Sequence, residues 1–182
     1  MLNAGGILQI VTFHMPGSVV DMSTLREALR HSRQQGARVV LTNGIFDVLH
    51  VGHLRYLRQA RALGDVLVVG VNADRAVHKP GRPLVRDVER AELLAALEPV
   101  DYVVIFDQST ADQLLREVRP EVYAKGADYT EATLPEAATA RDVGACLEFV
   151  ELVPGRSTTD LLSRIAERSP RTTRGVRHLK RT

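Results

Sequence analysis

Residues 43 to 53 combine side chains that bind phosphate with glycines that leave room for it. His50 and His53 are three positions apart, so both can lie on one side of a helical turn. Histidine donates hydrogen bonds to phosphate oxygens, more strongly when it is charged. Gly44 and Gly52 would let the backbone approach a ligand closely. Two further polar side chains of the segment are Asn43 and Asp47.

The neighbouring elements place this segment at a corner between a strand and a helix. The run RVVLT at 38–42 predicts a strand, and Leu and Ala recur at helical spacing over 52–63. The free N–H groups and the dipole of a helix start favour an anion. The loops GxxxxGK[ST] and GxGxxG are absent, which excludes a P-loop NTPase and a standard dinucleotide dehydrogenase. A metal site is the alternative for the histidine pair, but no third ligand is evident.

Five apolar strands alternate with helices along the chain. Strands are predicted at 38–42, 65–72, 101–106, 121–125 and 146–152, and helices at 24–35, 52–63, 87–97, 109–118, 135–141 and 158–166. Strands this apolar are usually covered on both faces, which predicts an α/β, Rossmann-like doubly wound, five-stranded and mainly parallel sheet. In such sheets ligands bind beyond the carboxyl ends of the strands. Cys146 lies in an apolar run and is expected to be buried.

Length and composition fit one globular domain. The chain has 182 residues, of which 45% are hydrophobic and 25% charged. We assign 1–22 to an N-terminal arm, 23–167 to the domain and 168–182 to a basic, disordered tail. The first helix is expected to begin at Thr24, which has capping-box spacing to Glu27. No run approaches the ~18 apolar residues of a membrane span, and a basic leader is missing, so we expect a cytoplasmic protein.

The carboxyl-terminal segment carries a charge asymmetry. Six basic residues and one acid lie between Ala166 and Thr182, a net charge of +5 against −3 for the remainder. A solvated tail explains this pattern, and a tether to nucleic acid or an acidic partner is the alternative. The segment has no aromatic residue to stack on bases, so nucleic-acid binding is not expected.

The segment GIFDVLHVGH resembles the GxFDxxHxGH signature of the cytidylyltransferase-like nucleotidyltransferases. Four later segments match the family in the same order: VNADRAVHKPGRP, VERAELLAALEPVDYVVIF, RPEVYAKGADY and VPGRSTTDLLSRI. The chain most resembles the heptose 1-phosphate adenylyltransferases, which occur alone or as the transferase half of the bifunctional ADP-heptose synthase. Glycerol-3-phosphate and ethanolamine-phosphate cytidylyltransferases are more distant. The resemblance implies attack of a sugar 1-phosphate oxygen on the α-phosphorus of a nucleoside triphosphate, with pyrophosphate leaving.

The resemblance also implies roles for individual residues. His50 and His53 match the histidines that hold the triphosphate and stabilise charge at the α-phosphorus, and Lys79 matches a phosphate-contacting lysine. We expect these three to be catalytic. Nucleotide contacts are implied for Asn43, Gly44, Ile45, Phe46, His50, Gly52, His53, Lys125, Gly126, Asp128, Ser157, Thr158 and Thr159. Acceptor contacts are implied for Asp47, Lys79 and Arg90. A cap or turn role is the alternative for Asp47, and packing or a salt bridge for Arg90.

The expected substrates follow from the same resemblance. They are ATP and D-glycero-D-manno-heptose 1-phosphate, giving ADP-heptose and pyrophosphate. Mg²⁺ is the expected cofactor, held mainly by phosphates and, among protein groups, by Asp47. A separate sugar kinase would supply the acceptor, and a homodimer is common among relatives. The alternatives are a cytidylyltransferase acting on glycerol 3-phosphate or a similar alcohol phosphate, and a non-catalytic nucleotide-binding regulatory module.

The sequence departs from the family pattern at two places. HKPGRP is one residue shorter than the usual KGxGRP, which leaves the reach of Lys79 open. Ala127 replaces the second glycine of KGGDY. Both departures bear on the acceptor more than on the reaction class.

Overall fold

The computed structural model describes residues 17–152, 155 and 158–168. Its elements are β1 (Ser18–Val19), α1 (Met22–Gln34), β2 (Val39–Gly44), α2 (Val51–Arg61), β3 (Val66–Asn72), a 3₁₀ turn (Asp74–Ala76), α3 (Asp87–Ala95), β4 (Tyr102–Phe106), α4 (Asp112–Val118), β5 (Val122–Gly126), α5 (Ala137–Asp142), β6 (Cys146–Val150) and α6 (Thr158–Arg168). Within the described ranges no helix is both long and apolar enough to cross a membrane. The tail expected at 168–182 lies outside the described residues after Arg168.

The strands form one parallel sheet in the order β1-β4-β3-β2-β5-β6. The predicted α/β doubly wound fold is confirmed, but the predicted count of five strands is wrong because β1 adds a sixth. This strand has two residues, too few to show a periodic pattern, and pairs with β4 through Ser18 and Val19. Residues 17–22, which we assigned to the arm, therefore contribute a strand and the start of α1.

Helices cover both faces of the sheet. One apolar cluster joins α1, α4 and α5 to the strand residues that point toward them, such as Leu41 and Val68. The other joins α2 and α3 to the alternate residues, such as Val40 and Val69. Because successive strand side chains point to opposite faces, both positions of each central strand are apolar. Each fully buried Leu or Val stabilises the fold by roughly 1.5–3 kcal/mol.

Two local expectations were wrong. Helix α1 begins at Met22, two residues before Thr24, because the carboxylate of Asp21 accepts the Thr24 amide at 2.7 Å and caps the helix. Hydrogen bonds from the Thr24 amide, and from Ser23, lower the pKa of Asp21 to about 2. Cys146 is exposed, because it opens β6, which lies at an edge of the sheet.

The chain changes direction at β2. From β2 it runs outward through β3 and β4, and it then returns to place β5 on the other side of β2. Such a switch point opens a crevice at the carboxyl ends of the two strands. The loop after β2, which carries the two histidines, begins at this crevice.

Candidate active site

The two histidines stack on each other at the start of α2. His50 is the N-cap residue, with an extended backbone, and His53 lies in the first turn, where its amide donates to the His50 carbonyl at 3.0 Å. Their ring centroids are 3.9 Å apart and the rings are within 16° of parallel. The ring of Phe46 meets His53 edge-on at 5.4 Å. The spacing of three residues thus places both imidazoles on one side of the helix, as the sequence predicts.

Burial keeps both imidazoles neutral near pH 7. It lowers the pKa of His50, and burial together with the nearby His50 lowers the pKa of His53 to about 4. In each ring Nδ1 is buried and has no hydrogen-bond partner among the described residues. An anion placed against the pair would favour the charged form and raise both pKa values. The pair is therefore suited to bind a polyanion and to respond to its charge.

The loop that leads to the histidines folds tightly over the end of β2. Phe46 has a positive φ of 53°, a conformation that residues other than glycine seldom adopt. A Cβ atom at Gly44 would lie 3.2 Å from the Phe46 ring. Glycine at 44 therefore allows the ring to turn back and contact His53.

Strand β5 supplies the other wall of the crevice. The side-chain oxygen of Asn43 accepts hydrogen bonds from the Tyr123 hydroxyl at 2.6 Å and from Lys125 Nζ at 3.2 Å. Burial lowers the pKa of Lys125, and the charges of Glu136 and Asp128 oppose that shift. The structure thus brings together Asn43 and Lys125, two predicted nucleotide contacts that are 82 residues apart in sequence.

The turn after β5 closes over Lys125. A Cβ atom at Gly126 would lie 2.5 Å from a carboxylate oxygen of Asp128, so glycine makes room for that side chain. The ring of Tyr129 lies 5.1 Å from Lys125 Nζ. Sequence reasoning did not select Tyr123 or Tyr129. Tyr123 could have been found because it lies two positions before Lys125 in the strand, on the same face.

Asp47 anchors a neighbouring loop. Its side chain is fully buried, and its oxygens accept the amides of Leu84 at 2.9 Å and Val85 at 3.0 Å. Arg82 Nη1 lies 3.3 Å from one of them. Asp47 thus anchors the loop at 84–85 through long-range bonds, and its acceptor contact stays a prediction.

Arg90 ties the same region together from α3. It is 1% exposed. Its guanidinium donates to the carbonyl oxygens of Val85 at 2.8 Å and Asn72 at 2.9 Å. It also donates to the carbonyl of Ile45 and pairs with the carboxylate of Asp74. These four internal acceptors fit the packing or salt-bridge alternative for Arg90, and its acceptor contact stays a prediction.

The remaining predicted residues lie at three places. Lys79 is exposed at the first position of a turn, where its carbonyl accepts the Arg82 amide at 3.0 Å. Thr158 is buried at the start of α6 and Thr159 is exposed. Ser157 lies outside the described residues. Lys79 is thus free to move toward a ligand.

The described residues offer little to a metal ion. They include no group of three or more His, Cys, Asp and Glu side chains placed to hold one. The buried carboxylate of Asp47 is already bonded to two amides.

A cavity of 540 Å³ lies away from the histidines. It is formed by the ends of β1 and β4 and by α1 and α4, and its charged lining residues are Asp21, Asp107 and Glu117. Two of these acids are paired, Glu117 with Arg26 and Asp107 with Arg75. None of the lining residues is basic, whereas the crevice between β2 and β5 offers Lys125 and the histidine pair.

Fold and site together define a doubly wound, parallel α/β protein with a stacked histidine pair at a helix start beside the switch point of its sheet. The model of the family described as Cytidylyltransferase-like matches residues 41–173. The chain belongs to this family, which confirms the resemblance seen in the sequence.

Curated relatives carry one shared name. The chain is 46% identical over 148 residues to the "Bifunctional protein HldE" of Syntrophotalea carbinolica, covering 80% of this chain and 30% of that protein. It is 43% identical over 151 residues to the protein of the same name from Methylobacillus flagellatus. That match covers 81% of this chain and 31% of that protein. The chain thus spans about a third of the length of the curated relatives it matches.

A solved structure shares the fold. It is the "lipopolysaccharide core biosynthesis protein from Thermoplasma volcanium GSS1", with a TM-score of 0.55 and 30% sequence identity. The match covers 65% of this chain and 98% of that one. The Rossmann-like nucleotidyltransferase fold is therefore shared with a protein named for lipopolysaccharide core synthesis.

Proposed function

We propose that this chain transfers a nucleoside monophosphate from ATP to D-glycero-D-manno-heptose 1-phosphate, giving ADP-heptose and pyrophosphate. The nucleotidyltransferase class follows from the family. The choice of acceptor is supported by the curated relatives named HldE, which carry the heptose 1-phosphate adenylyltransferase domain. A separate sugar kinase would supply the acceptor, and the protein would act in the cytoplasm.

The observation that carries the proposal is the stacked histidine pair at the start of α2. Two neutral imidazoles 3.9 Å apart present donors beside the free N–H groups of a helix start. When a triphosphate binds, its negative charge raises their pKa values and strengthens the hydrogen bonds that they donate. The pair then stabilises the charge that develops around the α-phosphorus.

The reaction requires positioning more than acid–base catalysis. A phosphate monoester has a second pKa of about 6, so the acceptor is largely a dianion at pH 7 and is already a nucleophile. One of its oxygens forms a bond to the α-phosphorus while the bond from that phosphorus to the β-phosphate oxygen breaks. The protein must hold two polyanions in line and neutralise part of their charge.

Residues on both sides of the switch point would hold the nucleotide. Asn43 and Lys125 form one wall of the crevice, with Lys125 Nζ donating to the side-chain oxygen of Asn43 at 3.2 Å. The loop that starts at Gly44 forms the beginning of the other wall. Lys79 would reach the phosphates from its exposed turn. Mg²⁺ would enter with the triphosphate and reduce its charge, while Asp47 keeps the neighbouring loop in place.

Pyrophosphate release tests the proposal. The protein is incubated with Mg²⁺, each of ATP, CTP, GTP and UTP, and a panel of sugar and alcohol phosphates. We expect release with ATP and the heptose 1-phosphate. Release only with CTP and glycerol 3-phosphate would instead identify an alcohol-phosphate cytidylyltransferase. No release with any pair, together with measurable ATP binding, would indicate a non-catalytic regulatory module.

A further inference from the structure

Arg82, the arginine of the GRP triplet, is a largely buried cation to which no role has yet been assigned. Its side chain is 17% exposed and lies against the fully buried carboxylate of Asp47, with Nη1 3.3 Å from the nearer oxygen. Nη1 is buried and has no hydrogen-bond partner among the described residues. Arginine stays charged at any pH at which proteins fold. A permanent charge is thus held at a fixed position, with incomplete hydrogen bonding.

The Asp47 carboxylate does not fully satisfy this cation. Its two oxygens already accept the amides of Leu84 and Val85. The guanidinium has five N–H donors in a fixed plane. The side chain keeps 17% of its surface exposed, and its contact with Asp47 is made through Nη1. Asp47 therefore orients Arg82 without using all of its donors.

The surrounding loop is held rigidly relative to the histidine loop. Asp47, which bonds the Leu84 and Val85 amides, is three residues before His50. Arg90 bonds the carbonyls of both Ile45 and Val85. These bonds link the segment at 82–85 directly to the loop at 45–50. A ligand bound to one loop would be fixed relative to the other.

A second cation lies one turn away. Lys79 and Arg82 are the first and last residues of a turn closed by the 3.0 Å bond from the Arg82 amide to the Lys79 carbonyl. The Cα atoms at the ends of such a turn are within about 7 Å. Both residues have basic side chains, and Arg82 lies 3.3 Å from Asp47 of the histidine loop. A phosphate dianion is the ligand that such a pair suits.

We propose that Arg82 binds the phosphate of the acceptor, with Asp47 as the positioning residue that orients its guanidinium. This inference rests on the proposed function and assigns a residue to the acceptor side of the same site. It predicts selectivity for phosphate monoesters, because the planar guanidinium can engage two oxygens of a terminal phosphate. Arg82→Lys would keep the positive charge but lose the paired N–H donors with which a guanidinium binds two oxygens at once.

Arg82→Lys tests the assignment, with Arg75→Lys as the matched control. Arg75 lies in the same connection between β3 and α3, but its guanidinium is exposed and pairs with Asp107. Binding of D-glycero-D-manno-heptose 1-phosphate is measured by calorimetry, and KM values for acceptor and ATP by turnover. We expect Arg82→Lys to weaken acceptor binding about ten- to hundredfold, as for loss of a charged hydrogen bond, with the KM for ATP unchanged. Arg75→Lys should match the wild type.

The two measurements separate this inference from the proposed function. Thermal denaturation first establishes that the variant is folded. If the wild type turns over but Arg82→Lys binds the acceptor normally, the inference is wrong and the function stands. If the wild type shows no turnover, calorimetry still decides: binding that depends on Arg82 supports the assignment, and no binding to the wild type overturns it. An equal rise in the KM values for the acceptor and for ATP would indicate that Arg82 only maintains the structure of the loop. That result would also overturn the inference.

Discussion

At the scale of single residues, the neutral histidine pair has the most direct consequence for rate. His53→Ala removes the more buried imidazole of the stack. We expect kcat to fall by ~10²-fold or more, as for loss of one charge-stabilising donor. Steady-state pyrophosphate release measures this. The control is His31→Ala, an exposed position in α1, which should keep the wild-type rate. A wild-type rate in His53→Ala would contradict its role.

The same residue predicts how stability depends on pH. Folding lowers the pKa of His53 from 6.5 to about 4, so between these values the unfolded chain binds more protons than the folded one. The free energy of unfolding should therefore fall as pH drops from 6.5 toward 4, and this contribution should be constant above 6.5. Urea denaturation at pH 7.5 and pH 5 measures the slope. His53→Gln, which does not titrate, should show a smaller decrease; equal slopes would refute the assignment.

Some of these residues could be selected from the sequence and others could not. The His pair was predictable because its geometry depends on one helical turn. The partners of Asp47 are 37 and 38 residues away, and Arg90 reaches back 45 residues to Ile45. A motif identifies a charged residue but not the carbonyls and amides that approach it. Buried anchors and ligand-binding residues therefore look alike in sequence.

At the scale of elements, Arg90 holds three connections at the carboxyl edge of the sheet. Arg90→Met preserves much of the side-chain volume but leaves the Ile45, Asn72 and Val85 carbonyls without this donor. We expect the free energy of unfolding to fall by roughly 1–3 kcal/mol, as when buried hydrogen-bonding groups lose their partner. Chemical denaturation measures the loss.

The control for that variant lies on the same helix. Arg86 is the exposed N-cap residue of α3 and pairs with Glu89, one turn away. Arg86→Met should leave the denaturation midpoint nearly unchanged, because exposed pairs contribute little. Equal losses in the two variants would show that Arg90 is no more important than a surface arginine. A loss confined to Arg90→Met would establish it as the anchor of the edge.

At this scale, apolar runs in the sequence are sufficient to predict the longer strands, but not the short strand β1 or the exact start of α1. All five strands predicted from apolar runs are present, because a strand covered on both faces needs apolar residues at every position. Strand β1 was missed because two residues cannot show a period. The start of α1 was misplaced because Ser, Thr and Asp all cap helices, and only the observed bond from the Thr24 amide to Asp21 distinguishes them.

At the scale of the whole molecule, the described site and the basic tail are separate in sequence. The site is built from the ends of β2 and β5, the start of α2 and the loop at 79–85, and the predicted residues Thr158 and Thr159 open α6. All of these precede residue 169. Deletion of residues 169–182 removes five of the six basic residues of the carboxyl-terminal segment and leaves every described site residue in place. We therefore expect kcat to remain at the wild-type value.

Salt dependence shows whether the tail contributes through charge alone. If it attracts polyanionic substrates, its deletion should raise KM at low ionic strength and have no effect near 1 M salt, where the Debye length is about 3 Å. If it is only solvated, KM should be unchanged at both. Turnover of the full chain and the truncated chain at the two salt concentrations distinguishes these results. A large fall in kcat at both would mean that the tail carries a catalytic contact.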